Sequence, residues 1–174
     1  MKPTLLTLEP MTLVGPEARF ISAMSPDADN FKVIPPLWHE LTARRAEMPP
    51  AVDKYSYGAC RGVPKGERRR EDELLYLAGQ NVKPDAQVPA GMGRWEVPAL
   101  TYACFTHRGP IGELGKTIAS IYRDWLPRSG QARNWTAPEL ERYDERFKDG
   151  GKDCEIDYLV PVMPCVKSAG SDPR

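Results

Sequence analysis

One pattern of elements runs through this 174-residue chain twice, and that constrains its fold more than any single motif. Residues 96–127, EVPALTYACFTHRGPIGELGKTIASIYRDWLP, show the unit most clearly. Residues 100–106 are apolar, aromatic and free of glycine, which suits a strand. His107-Arg108-Gly109-Pro110 breaks that strand, because Gly permits unusual φ and Pro fits the first turn of a helix. Ile111, Leu114, Ile118, Ile121 and Trp125 then recur at steps of three and four, the apolar stripe of an amphipathic helix. Leu126-Pro127 and Ser129-Gly130 end it. Strands are expected to follow at 140–147 and 154–163, joined by a tight turn at Asp149-Gly150-Gly151.

The first half reads the same way. A strand over 11–21 bends at Gly15-Pro16, and Ile34-Pro35-Pro36-Leu37-Trp38 opens a helix that Pro49-Pro50 stops. Strands follow at 54–61 and 73–82. The offsets are nearly constant: Ala18-Arg19-Phe20 matches Ala103-Cys104-Phe105 at 85 residues, Trp38 matches Trp125 at 87, Tyr57 matches Tyr143 at 86, and Glu73-x-x-Tyr76 matches Glu155-x-x-Tyr158 at 82. The expected class is α+β, a tandem βαββ repeat in one antiparallel sheet with two main helices. Repeat one spans about 10–83 and repeat two about 94–164, with a tail at 165–174 and one domain overall. The junction of such halves makes a central groove, where pockets often lie.

Charge balances at 24 basic against 24 acidic residues, which argues against a dedicated nucleic-acid surface. Arg68-Arg69-Arg70, after Lys65, is answered by Glu71-Asp72-Glu73 and reads as a self-neutralising hairpin loop. The N-terminal apolar run is too short for a secretory signal, and no run approaches a membrane span, so the expected compartment is the cytoplasm. Cys60, Cys104, Cys154 and Cys165 form no CxxC pair, and His39 and His107 lie at no zinc-ligand spacing. Reduced, mostly buried thiols and no metal or cofactor are expected. No nucleophile-elbow, phosphate-loop or dinucleotide motif is present.

Two readings of Glu155 stay open: a solvent-facing strand residue, or a carboxylate on the floor of an aromatic groove that attracts a cation or acts as a base. In a strand it shares a face with Asp157 and Leu159, opposite Ile156 and Tyr158. Trp38, Trp125, Tyr57 and Tyr143 are groove candidates because they occupy matching places in the two halves. His107 reads as a structural hydrogen-bonding residue or as a general base.

Several segments together resemble the GyrI-like small-molecule-binding domain, also the effector-binding part of AraC-type and multidrug-responsive transcription regulators. They are Ile34-Pro35-x-Leu37-Trp38, Tyr57-Gly58, Tyr102-Ala103-x-Phe105-x-His107-x-Gly109-Pro110, Trp125-Leu126-Pro127-x-Ser129-Gly130, Glu141-Arg142-Tyr143-Asp144, and Glu155-Ile156 leading to Pro161-Val162. The resemblance implies the tandem βαββ fold and a groove for hydrophobic, cationic aromatic compounds. It places the groove glutamate on Glu155 and groove aromatics on Trp38, Tyr57, Phe105 and Trp125. Because the repeats fill the chain, a stand-alone binding module without direct DNA contact or membrane attachment is expected. The same resemblance offers two alternatives: a hydrolase of cyclopropane-bearing alkylating natural products with Glu155 as general base, and a DNA gyrase-inhibitor-like protein; the protein partner it implies is a transcription regulator or gyrase.

Overall fold

A computed structural model describes residues 2–64, 66–67, 70–148 and 151–165. Ten strands form one antiparallel sheet: β1 (Thr4–Leu8), β2 (Met11–Gly15), β3 (Glu17–Ile21), β4 (Ala51–Gly62), β5 (Glu73–Val82), β6 (Gly93–Val97), β7 (Leu100–Arg108), β8 (Gln131–Arg133), β9 (Glu139–Tyr143) and β10 (Glu155–Pro164). Their order is β1-β7-β10-β9-β4-β5-β2-β6, with β3 also on β5 and β8 on β10. Helix α1 (Asn30–Ala43) crosses the first half and α2 (Leu114–Ser120) the second.

The order β7-β10-β9 mirrors β3-β5-β4 across the β4–β9 pair, so the two βαββ halves meet at that seam in a pseudo-two-fold arrangement. Register refines the repeat. Phe20 pairs with Leu74 and Phe105 with Tyr158, so Tyr158 corresponds to Leu74 and not to Tyr76. Ser56 pairs with Tyr143 and Tyr57 with Arg142. Directly paired residues share a face, so Tyr57 and Tyr143 point to opposite sides of the sheet. Their matching by sequence offset is corrected accordingly.

The expected bend at Gly15-Pro16 divides the first strand into β2 and β3. A Cβ on Gly15 would fall 1.9 Å from the Ala78 carbonyl oxygen, so only glycine fits there. Helix α1 begins a turn earlier than Pro35 implies, and Pro35 and Pro36 lie inside it. The second helical run is continuous but not uniform. A 3-10 turn (Ile111–Glu113) leads into α2, and a π-helical turn (Ile121–Trp125) and a second 3-10 turn (Leu126–Arg128) follow. Pro127 lacks the amide hydrogen that an α-helix would aim at the Arg123 carbonyl, which favours the change of winding. Strand β9 ends at Tyr143, short of the expected 147, and β1, β6 and β8 were not foreseen.

Both sheet faces are buried. Leu13, Tyr57, Leu77, Trp95, Tyr102 and Leu159 share the core on one face. On the other, Phe20, Leu37 and Tyr76 pack beneath α1, and Phe105, Ile121, Ile156 and Val160 beneath α2. His107 is buried and ties β7 to α2: its Nδ1 lies 2.8 Å from the Thr117 hydroxyl and its Nε2 3.2 Å from the Pro110 carbonyl. The four cysteines form no disulfide; Cys154 is buried, Cys60 and Cys104 half-buried, and Cys165 exposed. Among the described residues no helix is long and apolar enough to cross a membrane. Arg70 pairs with Asp72 and Asp27 at 2.9 and 3.0 Å, whereas Lys65, Arg68 and Arg69 lie outside the described residues. So do Asp149 and Gly150 of the expected turn and residues 166–174 of the tail.

Candidate functional site

Strand alternation sets the floor of a groove. Ser56, Gly58 and Cys60 on β4 pair with Tyr143, Glu141 and Glu139 on β9, all on the helix-bearing face. Gly58 is what lets the side chains converge. A Cβ there would sit 2.0 Å from the Tyr76 hydroxyl and 2.7 Å from Glu141 Oε2. Helix α1 forms one wall with Ile34 and Trp38, and α2 with the π-helical turn after it forms the other with Ile118 and Tyr122. The cleft measures about 2360 Å³. Closed drug-sized pockets hold roughly 300–1,000 Å³, so this is an open groove with room for a bulky polyaromatic molecule.

Glu141 sits at the centre of the floor. Its Oε2 accepts hydrogen bonds from the Tyr76 and Tyr143 hydroxyls, each at 2.6 Å. Trp38 Nε1 donates to the Tyr76 oxygen at 3.2 Å, and the Trp38 ring meets Tyr143 edge-on at 4.8 Å. Tyr143 in turn packs edge-on against Phe147 at 4.9 Å. Burial raises the Glu141 carboxyl above the ordinary glutamate value, against the two phenol bonds that lower it. Burial, with the Glu141 charge added, holds Tyr76 and Tyr143 well above the usual tyrosine range, so both remain donors. None of the ion pairs among the described residues involves Glu141.

Glu139 is handled differently. It accepts from Tyr122, Tyr158 and Arg133, with Arg133 Nε at 2.8 Å in an ion pair whose side chains are 7% and 14% exposed. The groove floor thus carries one neutralised carboxylate and one without a cation, two residues apart on β9. Among the described residues no cluster of His, Cys, Asp and Glu has metal-binding form.

Of the six residues singled out from sequence, Trp38 and Tyr143 line this groove. Glu155 does not. It begins β10 opposite Arg108, bonds Arg108 Nε at 2.8 Å and lies 3.6 Å from Arg146 Nη1. It is a partly exposed, ion-paired carboxylate, and the placement on the groove floor is corrected. Tyr57 faces the opposite core and donates to Asp53 at 3.0 Å. Phe105 is 1% exposed and packs edge-on against half-buried Trp125 at 5.0 Å, beneath α2 and outside the groove lining. Sequence reasoning missed Glu139, Glu141, Tyr76, Tyr122, Tyr158 and Arg133. One signal was available: period-two alternation through Glu139-Leu140-Glu141-Arg142-Tyr143 puts both acids on the face of Tyr143.

A model of the GyrI-like small molecule binding domain matches residues 1–163. The transcriptional regulator BrlR of Pseudomonas aeruginosa is 32% identical over 128 residues, covering 72% of this chain and 45% of the regulator. The chain therefore spans less than half the length of that relative. Among solved structures, SAV2435 bound to tetraphenylphosphonium superposes with a TM-score of 0.70 at 15% identity, covering 94% of each chain. The C-terminal domain of EcmrR superposes with a TM-score of 0.64 at 14% identity, covering 94% of this chain and 98% of that one. These likenesses show the same fold over 94% of the chain, and the family match over residues 1–163 leads to one conclusion: the chain belongs to the GyrI-like small-molecule-binding domain family.

Proposed function

We propose that the groove between α1 and α2 binds lipophilic organic cations with aromatic groups, and that Glu141 supplies the charge they require. One observation carries this reading. Glu141 is a half-buried carboxylate that burial raises above the ordinary glutamate value, held by two tyrosine hydroxyls and left without a positive partner, on the floor of an open aromatic groove. An ionised carboxylate partly removed from water is costly until a cation arrives. A delocalised cation meets that need at low desolvation cost, and Trp38 and Tyr143 offer ring faces and edges beside it. SAV2435, which shares the fold, is described as bound to tetraphenylphosphonium, a cation of this class. The general-base role read onto Glu155 gains no support, because two arginines hold that carboxylate outside the groove. The setting we infer is the cytoplasm, consistent with four cysteines that form no disulfide.

Calorimetric titration with tetraphenylphosphonium tests the reading. Wild type is expected to bind, and Glu141→Gln is expected to lose about thirtyfold or more in affinity, the lower end of the roughly 2–5 kcal/mol that removing one partner of a buried charge pair costs. Equal affinity in the two proteins would overturn the assignment.

A further inference from the structure

The neutralised half of the groove holds a second set of donors. Arg133 closes β8 with its side chain 7% exposed. Its Nε is shared between Glu139 at 2.8 Å and the Tyr122 hydroxyl at 3.0 Å, and its guanidinium stacks 3.9 Å from the centre of the Trp135 ring. That leaves both terminal Nη groups without a hydrogen bond among the described residues. The only sealed, unpartnered side-chain nitrogen or oxygen among those residues is Arg142 Nε, so the Arg133 Nη groups keep solvent access. Arg133 also lines the groove. A guanidinium presents donors in a fixed plane, and here Trp135 on one face and Glu139 at the edge hold that plane still.

Resting on the cation-binding reading above, we propose that Arg133 forms an acceptor subsite, so that the groove favours aromatic cations carrying a carbonyl oxygen at a set distance from the positive centre. The spacing follows from β9. Glu141 takes the cation and Glu139 holds Arg133, and these two strand residues lie about 7 Å apart along the chain. The acceptor is a neutral carbonyl, as in an ester, amide or ketone. A free carboxylate would place a second negative charge beside Glu139, which already answers the arginine. An oxygen accepting from a charged guanidinium forms a stronger bond than one accepting from a neutral donor, so its presence or absence is readable in affinity.

A matched pair of dyes tests the subsite. Tetramethylrhodamine methyl ester and tetramethylrosamine share the same xanthylium cation and phenyl ring; only the first carries the ester carbonyl. By fluorescence anisotropy, wild type is expected to bind the ester about tenfold more tightly, the scale of one hydrogen bond to a charged group. In Arg133→Met, which keeps an apolar stem against Trp135 and removes every donor, the two dissociation constants are expected to converge. Equal affinities in wild type overturn the proposal without reference to any variant, and so does a gap that survives in a folded Arg133→Met protein. If tetraphenylphosphonium and both dyes fail to bind wild type, the cation-binding reading falls, and the subsite with it. If the cations bind and the ester confers no advantage, the subsite alone falls.

Discussion

At the scale of the residue, the site turns on two glutamates that differ only in their company. Glu139 has Arg133 and two phenols; Glu141 has two phenols and no cation. Because burial raises the Glu141 carboxyl, the folded state prefers it protonated more than the unfolded state does. Below the ordinary glutamate range both states are protonated and the site costs nothing. As pH rises from there through the raised folded value, the unfolded chain ionises first and stability is lost. Thermal melting across pH should therefore find ligand-free Glu141→Gln more stable than wild type at neutral pH, with the difference vanishing in acid. Cation affinity should run the other way, falling on acidification from a pH above the ordinary glutamate value. Glu155 supplies the contrast. Its nearer partner Arg108 is largely solvated and Arg146 keeps Asp144 and Asp157 as partners, so Glu155→Gln should cost no more than about 1 kcal/mol in denaturant unfolding and leave tetraphenylphosphonium binding unchanged.

At the scale of the element, the β4–β9 seam does the positioning. Gly58 is the gap into which Tyr76 and Glu141 lean. Gly58→Ala pushes a methyl group against both, and overpacking of this kind costs about 1–3 kcal/mol. The expected result is a lowered unfolding midpoint together with weakened cation binding, whereas a variant that binds as wild type would show that the phenols adjust freely. The same seam shows what a repeat reveals and what it hides. The succession of strand, helix, strand, strand was legible from alternation and three-four spacing. The matching of Tyr57 with Tyr143 was not reliable, because a shift of one residue in a strand moves a side chain to the other face. The offset between the halves drifts from strand to strand, and no motif announces that drift. The helix over Ile111 to Trp125 was legible as a stripe, while its passage from 3-10 to α to π winding was not.

At the scale of the molecule, the groove exists only where the halves join. Helices from different repeats wall it, and strands from both make its floor. A ligand held there bridges the two repeats and is absent from the unfolded chain, so binding adds stability by mass action. At a free ligand concentration one hundred times the dissociation constant, the added stability is about 2.7 kcal/mol. A thermal-shift titration of wild type should show a rise of several degrees, and Glu141→Gln at the same ligand concentration should show much less. A melting temperature unmoved by saturating ligand would mean that the cation binds elsewhere or binds both states alike.

The sequence by itself determined the class of fold, the doubling of the unit and the family, since hydrophobic period and the order of short motifs are properties of the chain alone. It also singled out Trp38 and Tyr143, whose side chains line the groove. Only the tertiary structure decided which acid faces the groove. Glu155, Glu139 and Glu141 are alike in sequence as charged residues of strands. Their fates diverge because Arg108 and Arg146 come within reach of the first, Arg133 reaches the second, and only tyrosines reach the third. Arg108 and Tyr76 reach their glutamates from 47 and 65 residues away, and even the nearer partners Arg133, Arg146 and Tyr143 are aimed by the fold of the chain between; electrostatic energy depends on what lies within a few ångströms in space.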